Sequence, residues 1–339
     1  VHFLITYIII KYINLNKFII FYKMKLLLIG PGFSPIPPKG WGAVETLVWD
    51  YYENLKKKQI DVIIINEPNL QNIINLCNSH NADIIHIMYD DHVIIVPYLN
   101  CKKIFYTSHF AYITHLNFEQ NYQSYFINIF KKVIQYQDKI VINAISNDIV
   151  EKYKKHGFVN KINLICNGAR EDLFKYTLNP NKKNKSVYIA KIEYRKSQYK
   201  YQSIPNIDFV GNYHDSPFNK SLSNYIGEWD KNTLYENLTE YGNLILLSEG
   251  EADPLVVKEA LIAGLGVVLS ECSSANLDTS KKFITIIPNN NLNDTVYVSE
   301  QIQQNREYSI SNREEIRKYA LENFAWNNII QKYIDKCLK

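Results

Sequence analysis

Short apolar runs alternate with longer stretches of helical spacing through most of the chain. In the first half the runs fall at 25–29, 60–65, 83–87, 103–107, 139–144 and 162–165. They are short and nearly continuous in apolar character, as strands buried on both faces are. Between the first two, Val44, Leu47, Val48, Tyr51, Tyr52 and Leu55 recur at helical intervals. Lys56, Lys57 and Lys58 follow, at the end where a helix dipole favours cations. Stretches 70–81, 122–137 and 149–156 read as further helices, the last capped by the group Ser146, Asn147 and Asp148 and ended by Gly157. The second half repeats the alternation. Strands are expected at 186–190, 207–211, 244–247, 266–269 and 283–287, and helices at 231–241, 254–263, 313–324 and 326–337. The segment 289–294 reads as a loop, and no element is assigned from 295 to 312. Strands alternating with helices predict an α/β fold with parallel sheets.

The rest of the chain is organised around 248–270, SEGEADPLVVKEALIAGLGVVLS. It predicts a strand, an acidic loop, a helix and a second strand, a βαβ unit. Pro254 suits the first helical turn, where its missing N–H costs nothing, and Gly264 suits the helix end. A helix that starts at the carboxyl end of a parallel strand presents unpaired N–H groups, here those of Leu255 and Val256, and the positive end of its dipole. That is a place for phosphate. Glu251 and Glu259 stand eight positions apart, about two turns, and so share roughly one face. Their carboxylates accept hydrogen bonds from hydroxyls, which sugars supply in pairs. A diphosphate flanked by two sugars would use all three features. A solvated helix face would show the same spacing.

The stretch resembles the E-x7-E signature of the retaining glycosyltransferases of GT-B fold, the "group 1" (family 4-like) nucleotide-sugar transferases. That resemblance implies that Glu251 lies by the donor sugar's hydroxyls and that Glu259 binds the nucleotide ribose. This chain has Asp253 and Pro254 where the family usually has glycine. Further motifs match. PPKGWGAVE, at 37–45, resembles the glycine loop that closes over the donor diphosphate, with Gly42 in the glycine role and Ala43 in place of the second glycine. A prolyl insertion spoils any G-x-G-x-x-G spacing, so this loop is not a dinucleotide fingerprint. His109, just past the fourth strand, matches the family histidine near the reacting anomeric carbon. His86, inside an apolar strand, fits a buried structural role. KIEYRKS, at 191–197, resembles the loop whose two cations grip the donor phosphates. Lys191 stands for its arginine and Lys196 for its lysine, Ala190 and Ser197 replace glycines, and Arg195 competes for the same role. NGAREDLF, at 167–174, resembles the turn where the chain crosses into the second domain. Asn224 to Trp229 resembles the segment that cradles the base, and Phe324-Ala325-Trp326 resembles the family ending, where the last helix packs back on the first domain.

Composition adds limits. The 339 residues suffice for two ordinary domains, and 46% hydrophobic with 21% charged residues is a globular balance. A net charge of +4 is too small to argue for nucleic acid. Five cysteines, none in a C-x-x-C pair, fit a reducing compartment and no zinc site. Residues 1–23 precede Met24. Their apolar run breaks at Lys11 and again at 14–17, so it is too interrupted to span a bilayer, and it lacks signal-peptide features. Translated upstream sequence, an interfacial anchor or an extra element of the fold remain as readings.

Taken with the resemblance, the expectation is an α/β protein of two Rossmann-like domains facing across a cleft. An acceptor-side domain would cover 24–165, a linker 166–185, a donor-binding domain 186–322, and a returning helix 323–339. The implied activity is transfer of a hexose-type sugar from a nucleoside-diphosphate sugar, with retention, to a glycan, lipid or protein acceptor. His109, Glu251 and Lys196 would be catalytic, and Gly42, Lys191, Lys196, Leu255, Val256 and Glu259 would hold the donor. No metal or other cofactor is expected, and the implied location is cytoplasmic, with peripheral membrane contact open. The rivals are a GT-B protein that binds a nucleotide or glycan without turnover, motivated by the replaced glycines, and a sugar-nucleotide epimerase.

Overall fold

The structure is a computed structural model and describes residues 24–40, 42–114 and 123–339. The expectations for 1–23 and for the start of the helix read from Tyr122 lie outside the described residues. The first half builds a six-stranded sheet from β1 (Lys25–Ile29), β2 (Asp61–Ile65), β3 (Ile84–Ile87), β4 (Lys103–Tyr106), β5 (Ile140–Ala144) and β6 (Ile162–Leu164). Its order is β2-β1-β3-β4-β5-β6 and every pairing is parallel. Helices α1 (Ala43–Lys57), α2 (Leu70–Ser79), α3 (Gln123–Gln135) and α4 (Asn147–Lys155) connect the strands. The second half places β7 (Lys182–Ile189), a short pair β8 (Ile192–Glu193) and β10 (Tyr213–Asp215), β9 (Ile207–Val210), β11 (Tyr241–Leu246), β12 (Gly266–Ser270) and β13 (Ile284–Ile287). Its main sheet is also parallel, ordered β13-β12-β11-β7-β9. Its helices are α5 (Lys231–Asn237), α6 (Leu255–Ile262), α7 (Thr295–Ser311), α8 (Arg313–Phe324) and α9 (Trp326–Tyr333). These are two Rossmann-like domains.

Each sheet reverses its winding once, between β1 and β3 and between β7 and β11. Such reversals open a crevice beyond the carboxyl ends of the strands. Two buried clusters cover the two faces of the first sheet, one continuous cluster surrounds the second, and α9 returns to the first sheet. Trp326 is fully buried there with Leu26, Leu47 and Tyr51, and the Tyr51 ring meets it edge-on at 5.0 Å.

Three local readings are corrected. The strand read as 186–190 begins at Lys182, inside the stretch taken for linker. Its first half is exposed, so lysines serve there. Lys182 donates to Tyr241 Oη at 2.8 Å and Lys185 to Asp208 Oδ1 at 2.8 Å. Helix α7 fills the 295–312 gap. Its buried residues, Val298, Ile302, Asn305 and Ser309, keep helical intervals, but two are polar and hide the apolar period. Asn305 is used there as a linchpin, bonded to Asn243 at 2.9 Å and to the Phe283 carbonyl at 3.1 Å. Pro254 is the N-cap of α6, not a residue of its first turn, with ψ 124°.

His86 is fully buried on β3, between Thr107 Oγ1 at 2.8 Å and Tyr333 Oη at 3.1 Å. Burial pushes its pKa down to about 3, and that of His109 to about 4. Both favour the neutral ring in the folded state. Their contribution to stability is therefore complete above about pH 6.5, the ordinary histidine value, and is lost as pH falls towards those folded values. We expect the urea midpoint to drop between pH 7 and 4.5. His86→Gln, which removes one such group, should flatten that slope; an unchanged slope would count against the burial argument.

Candidate functional site

The cleft between the sheets holds a cavity of about 260 Å³. The residues singled out in the sequence, Gly42, His109, Lys191, Lys196, Glu251, Leu255, Val256 and Glu259, all line it. They arrive from separate elements: the loop before α1, the end of β4, the loops after β7 and β11, and the first turns of α6.

The loops after β7 and β11 are bound to each other. Tyr188 of β7 is fully buried, accepts from Leu247 N at 2.9 Å and donates to the Lys196 carbonyl. Glu249 N donates to the Arg195 carbonyl at 2.8 Å. Ser197 takes φ 54°, the left-handed conformation that glycine adopts freely, so the turn shape survives the serine. The outcome is a charge cluster. Lys196 Nζ donates to Glu251 Oε1, and Arg195 Nη1 lies 3.6 Å from the same oxygen. Arg195 also reaches Glu193 at 2.7 Å and the Gly250 carbonyl, so it is engaged in holding the loops together. Lys191 lies 3.7 Å from Glu193. Burial opposes the charge on Glu251, but Lys196 and Arg195 outweigh it and hold the carboxyl below its usual range.

Glu259 is buried on the second turn of α6, 3.7 Å from Lys231 Nζ. Pro254 provides no side-chain cap, so the first N–H groups of the helix, those of Leu255 and Val256 among them, have no intrahelical partner. Gly42 precedes α1 at φ 140°. A Cβ there would stand 3.0 Å from Glu45 Oε2 and 3.1 Å from Pro38 Cβ. A side chain there would strain the backbone and crowd Glu45 and Pro38, so glycine suits this turn. His109 is neutral at pH 7, and both its ring nitrogens are buried without a hydrogen-bond partner. Buried polar atoms of a folded protein are normally satisfied, so an unpaired imidazole on a cleft wall is a place for a ligand.

Two features were missed in the sequence. Asn212, after β9, lines the cavity with its Oδ1 buried and unpaired. The second is Asp253, the residue that stands where glycine is usual. Its carboxylate bonds fully buried Lys258 of α6, accepts from Asn167 N at 2.7 Å and from Asn276 Nδ2 at 2.9 Å. Asn276 in turn donates to the Ile145 carbonyl at 2.8 Å, beyond the end of β5. Asp253, which also lines the cavity, thus ties the α6 loop to both domains. A lone lysine within the apolar run LVVKEALI was the available signal.

Among the described residues, no group of three or more His, Cys, Asp and Glu could hold a metal ion, and no helix is long and apolar enough to cross a membrane.

No family model matches the chain, and no curated protein sequence does. Solved structures do match in fold. One is the Anabaena protein Alr3699/HepE in complex with UDP and glucose, at 14% identity and TM-score 0.68, covering 92% of this chain and 98% of that one. Sucrose-phosphate synthase of Thermosynechococcus elongatus matches at 13% identity and TM-score 0.72, with the same coverage. The lipopolysaccharide outer core galactosyltransferase WaaB, in its apo form, matches at 15% identity and TM-score 0.59, again with 92% and 98% coverage. At such identities the likeness establishes the GT-B fold.

Proposed function

We propose that the protein transfers a hexose-type sugar from a nucleoside-diphosphate sugar to an acceptor, with retention of anomeric configuration. The observation that carries this reading is the meeting of Lys196, Glu251, Glu259 and His109 with the α6 N-terminus in one interdomain cavity. The fold neighbours whose names include UDP, glucose and galactosyl transfer support it.

In this reading the Leu255 and Val256 N–H groups and the ammonium groups of Lys196 and Lys191 bind the diphosphate. Glu259 accepts from the ribose hydroxyls and Glu251 from those of the donor sugar. The loop at Gly42 approaches the diphosphate through backbone. Cleavage of the anomeric C–O bond leaves negative charge on the departing diphosphate. Fixed cations and a helix end stabilise that charge without reorganising, which is the large electrostatic contribution in such sites. His109, neutral in this cleft, orients the reacting end of the donor rather than bearing charge.

A thermal-shift screen of UDP-, GDP- and ADP-sugars tests the donor assignment. A ligand present at ~100 times its Kd adds about 2.7 kcal/mol to apparent stability. One class should raise the melting temperature, and the purified protein should then release or transfer its sugar, with the anomer of the product read by NMR. Binding with no turnover on any acceptor would favour the non-catalytic rival. An inverted product would remove retention from the proposal.

A further inference from the structure

A second, wider cavity of about 790 Å³ shares His109, Lys196 and Glu251 with the first and opens towards the first domain. Its charges are arranged unevenly. On the first-domain wall stand Glu45, Asp90 and Asp91, none in an ion pair with a described residue. On the opposite wall each cation already has a carboxylate. Arg195 and Lys191 lie by Glu193, and Lys196 by Glu251. Burial raises the carboxyls of Glu45 and Asp90, the latter to about 6, although Tyr106 and Tyr112 donate to Asp90.

The mouth is aromatic. Phe33, Tyr125 and Tyr194 line this cavity and are 66%, 52% and 58% exposed, an unusual outlay of apolar surface in one place. Their rings are held rather than loose. Phe33 meets Tyr89 edge-on at 5.7 Å, Tyr194 meets Tyr199 at 6.0 Å, and the Tyr125 hydroxyl donates to Asp91.

We propose that this cavity binds a neutral oligosaccharide and disfavours one that is phosphorylated near its buried end. That this oligosaccharide is the acceptor rests on the transferase reading above. Carboxylates without cationic partners accept hydrogen bonds from hydroxyls, and desolvated ones repel a second anion strongly. Aromatic faces carry partial negative charge and attract the C–H face of a sugar ring. Several platforms spread across a mouth suit more than one ring. Of the described cations on these walls, Lys191 and Lys196 are taken up by the donor diphosphate in the reading above and Arg195 is held by Glu193 and the Gly250 carbonyl, so a phosphorylated ligand would meet the unpaired carboxylates of the first-domain wall.

The test is titration of the full chain with maltotriose, cellotriose and N-acetylchitotriose, each beside its counterpart phosphorylated on the non-reducing residue. At least one neutral trisaccharide should saturate, and its phosphorylated form should bind about 10-fold more weakly, a difference of about 1.4 kcal/mol. Phe33→Ala, at an exposed position, should fold with an unchanged melting temperature and weaken the neutral ligand about 5-fold. Asp91→Asn should shrink the preference for the neutral form. Equal or tighter binding of phosphorylated forms overturns the proposal. So does saturation by no trisaccharide, or full affinity in Phe33→Ala. The same samples are titrated with nucleotides. Nucleotide binding without oligosaccharide binding sinks this proposal and leaves the donor site standing. The reverse pattern sinks the donor site and leaves the cavity assignment.

Discussion

Glu251→Gln lowers kcat by about 10²- to 10³-fold, the range found when one preorganised polar group is removed from an active site, while nucleoside-diphosphate affinity is no weaker. The two halves of this expectation come from one contact. Glu251 Oε1 accepts from Lys196 Nζ and lies 3.6 Å from Arg195. Glutamine keeps the shape and can still accept from a hydroxyl, but it no longer neutralises the lysine. The Lys196 ammonium is then freer to meet the diphosphate, so ground-state binding holds or improves. In the proposed reaction, what is lost is an anionic acceptor beside the donor sugar. That loss appears in kcat, because it concerns an interaction that strengthens as the sugar departs. The fold should survive, since both side chains retain some access to the cleft, at 10% and 12% exposure, and water can reach the lysine. Steady-state kinetics with the donor found by thermal shift, and nucleotide titration of both proteins, make the comparison. Wild-type turnover in Glu251→Gln would remove Glu251 from the reaction. A parallel loss of nucleotide affinity and kcat would assign it to uniform binding instead.

The strands were legible because a parallel sheet with both faces covered needs apolar runs, and β1, β3 and β12 consist largely of them, while β11 shows one only in its last half, Leu244 to Leu246. The cleft residues were legible for a different reason. Their choice came from the resemblance of their loops to family motifs, and the βαβ reading added only that loops after strands and helix starts gather at one rim of a sheet. What could not be read was which side chains meet across the gap between domains. Nothing in the spacing of 191–197 tells that Arg195 is occupied by Glu193 and the Gly250 carbonyl, whereas Lys196 faces Glu251. Helix α7 escaped because its buried stripe includes Asn305 and Ser309, whose polar groups are satisfied only by partners distant in sequence. Asn212 escaped because an asparagine after a strand is an ordinary turn residue until its carbonyl is found buried and unpaired.

Lys258→Met destabilises the protein by about 3–5 kcal/mol at pH 8, the cost of removing one partner of a buried pair, and by clearly less at pH 5. Lys258 and Asp253 both have fully buried side chains. With the lysine gone, Asp253 keeps Asn167 N and Asn276 Nδ2 as donors but has no counter-charge. Burial already raises its carboxyl, and without Lys258 the folded-state pKa rises further. A carboxyl whose folded pKa lies above the unfolded one adds stability below the unfolded value and loses it as pH rises through the folded value. At pH 5 the carboxyl protonates and the uncompensated charge disappears; at pH 8 the fold must bury it charged or leave it unfolded. Urea midpoints at the two pH values, for wild type and variant, measure the effect. The double variant Lys258→Met, Asp253→Asn should recover much of the loss at pH 8, because the amide can still accept from Asn167 N and carries no charge. The same contact decides how the loop between Glu251 and α6 sits against Asn167 of the crossing segment. Nucleotide affinity in Lys258→Met should therefore fall with stability and return in the double variant. A pH-independent loss, or a double variant no better than the single one, would show that Asp253 and Lys258 do not act as a charged pair.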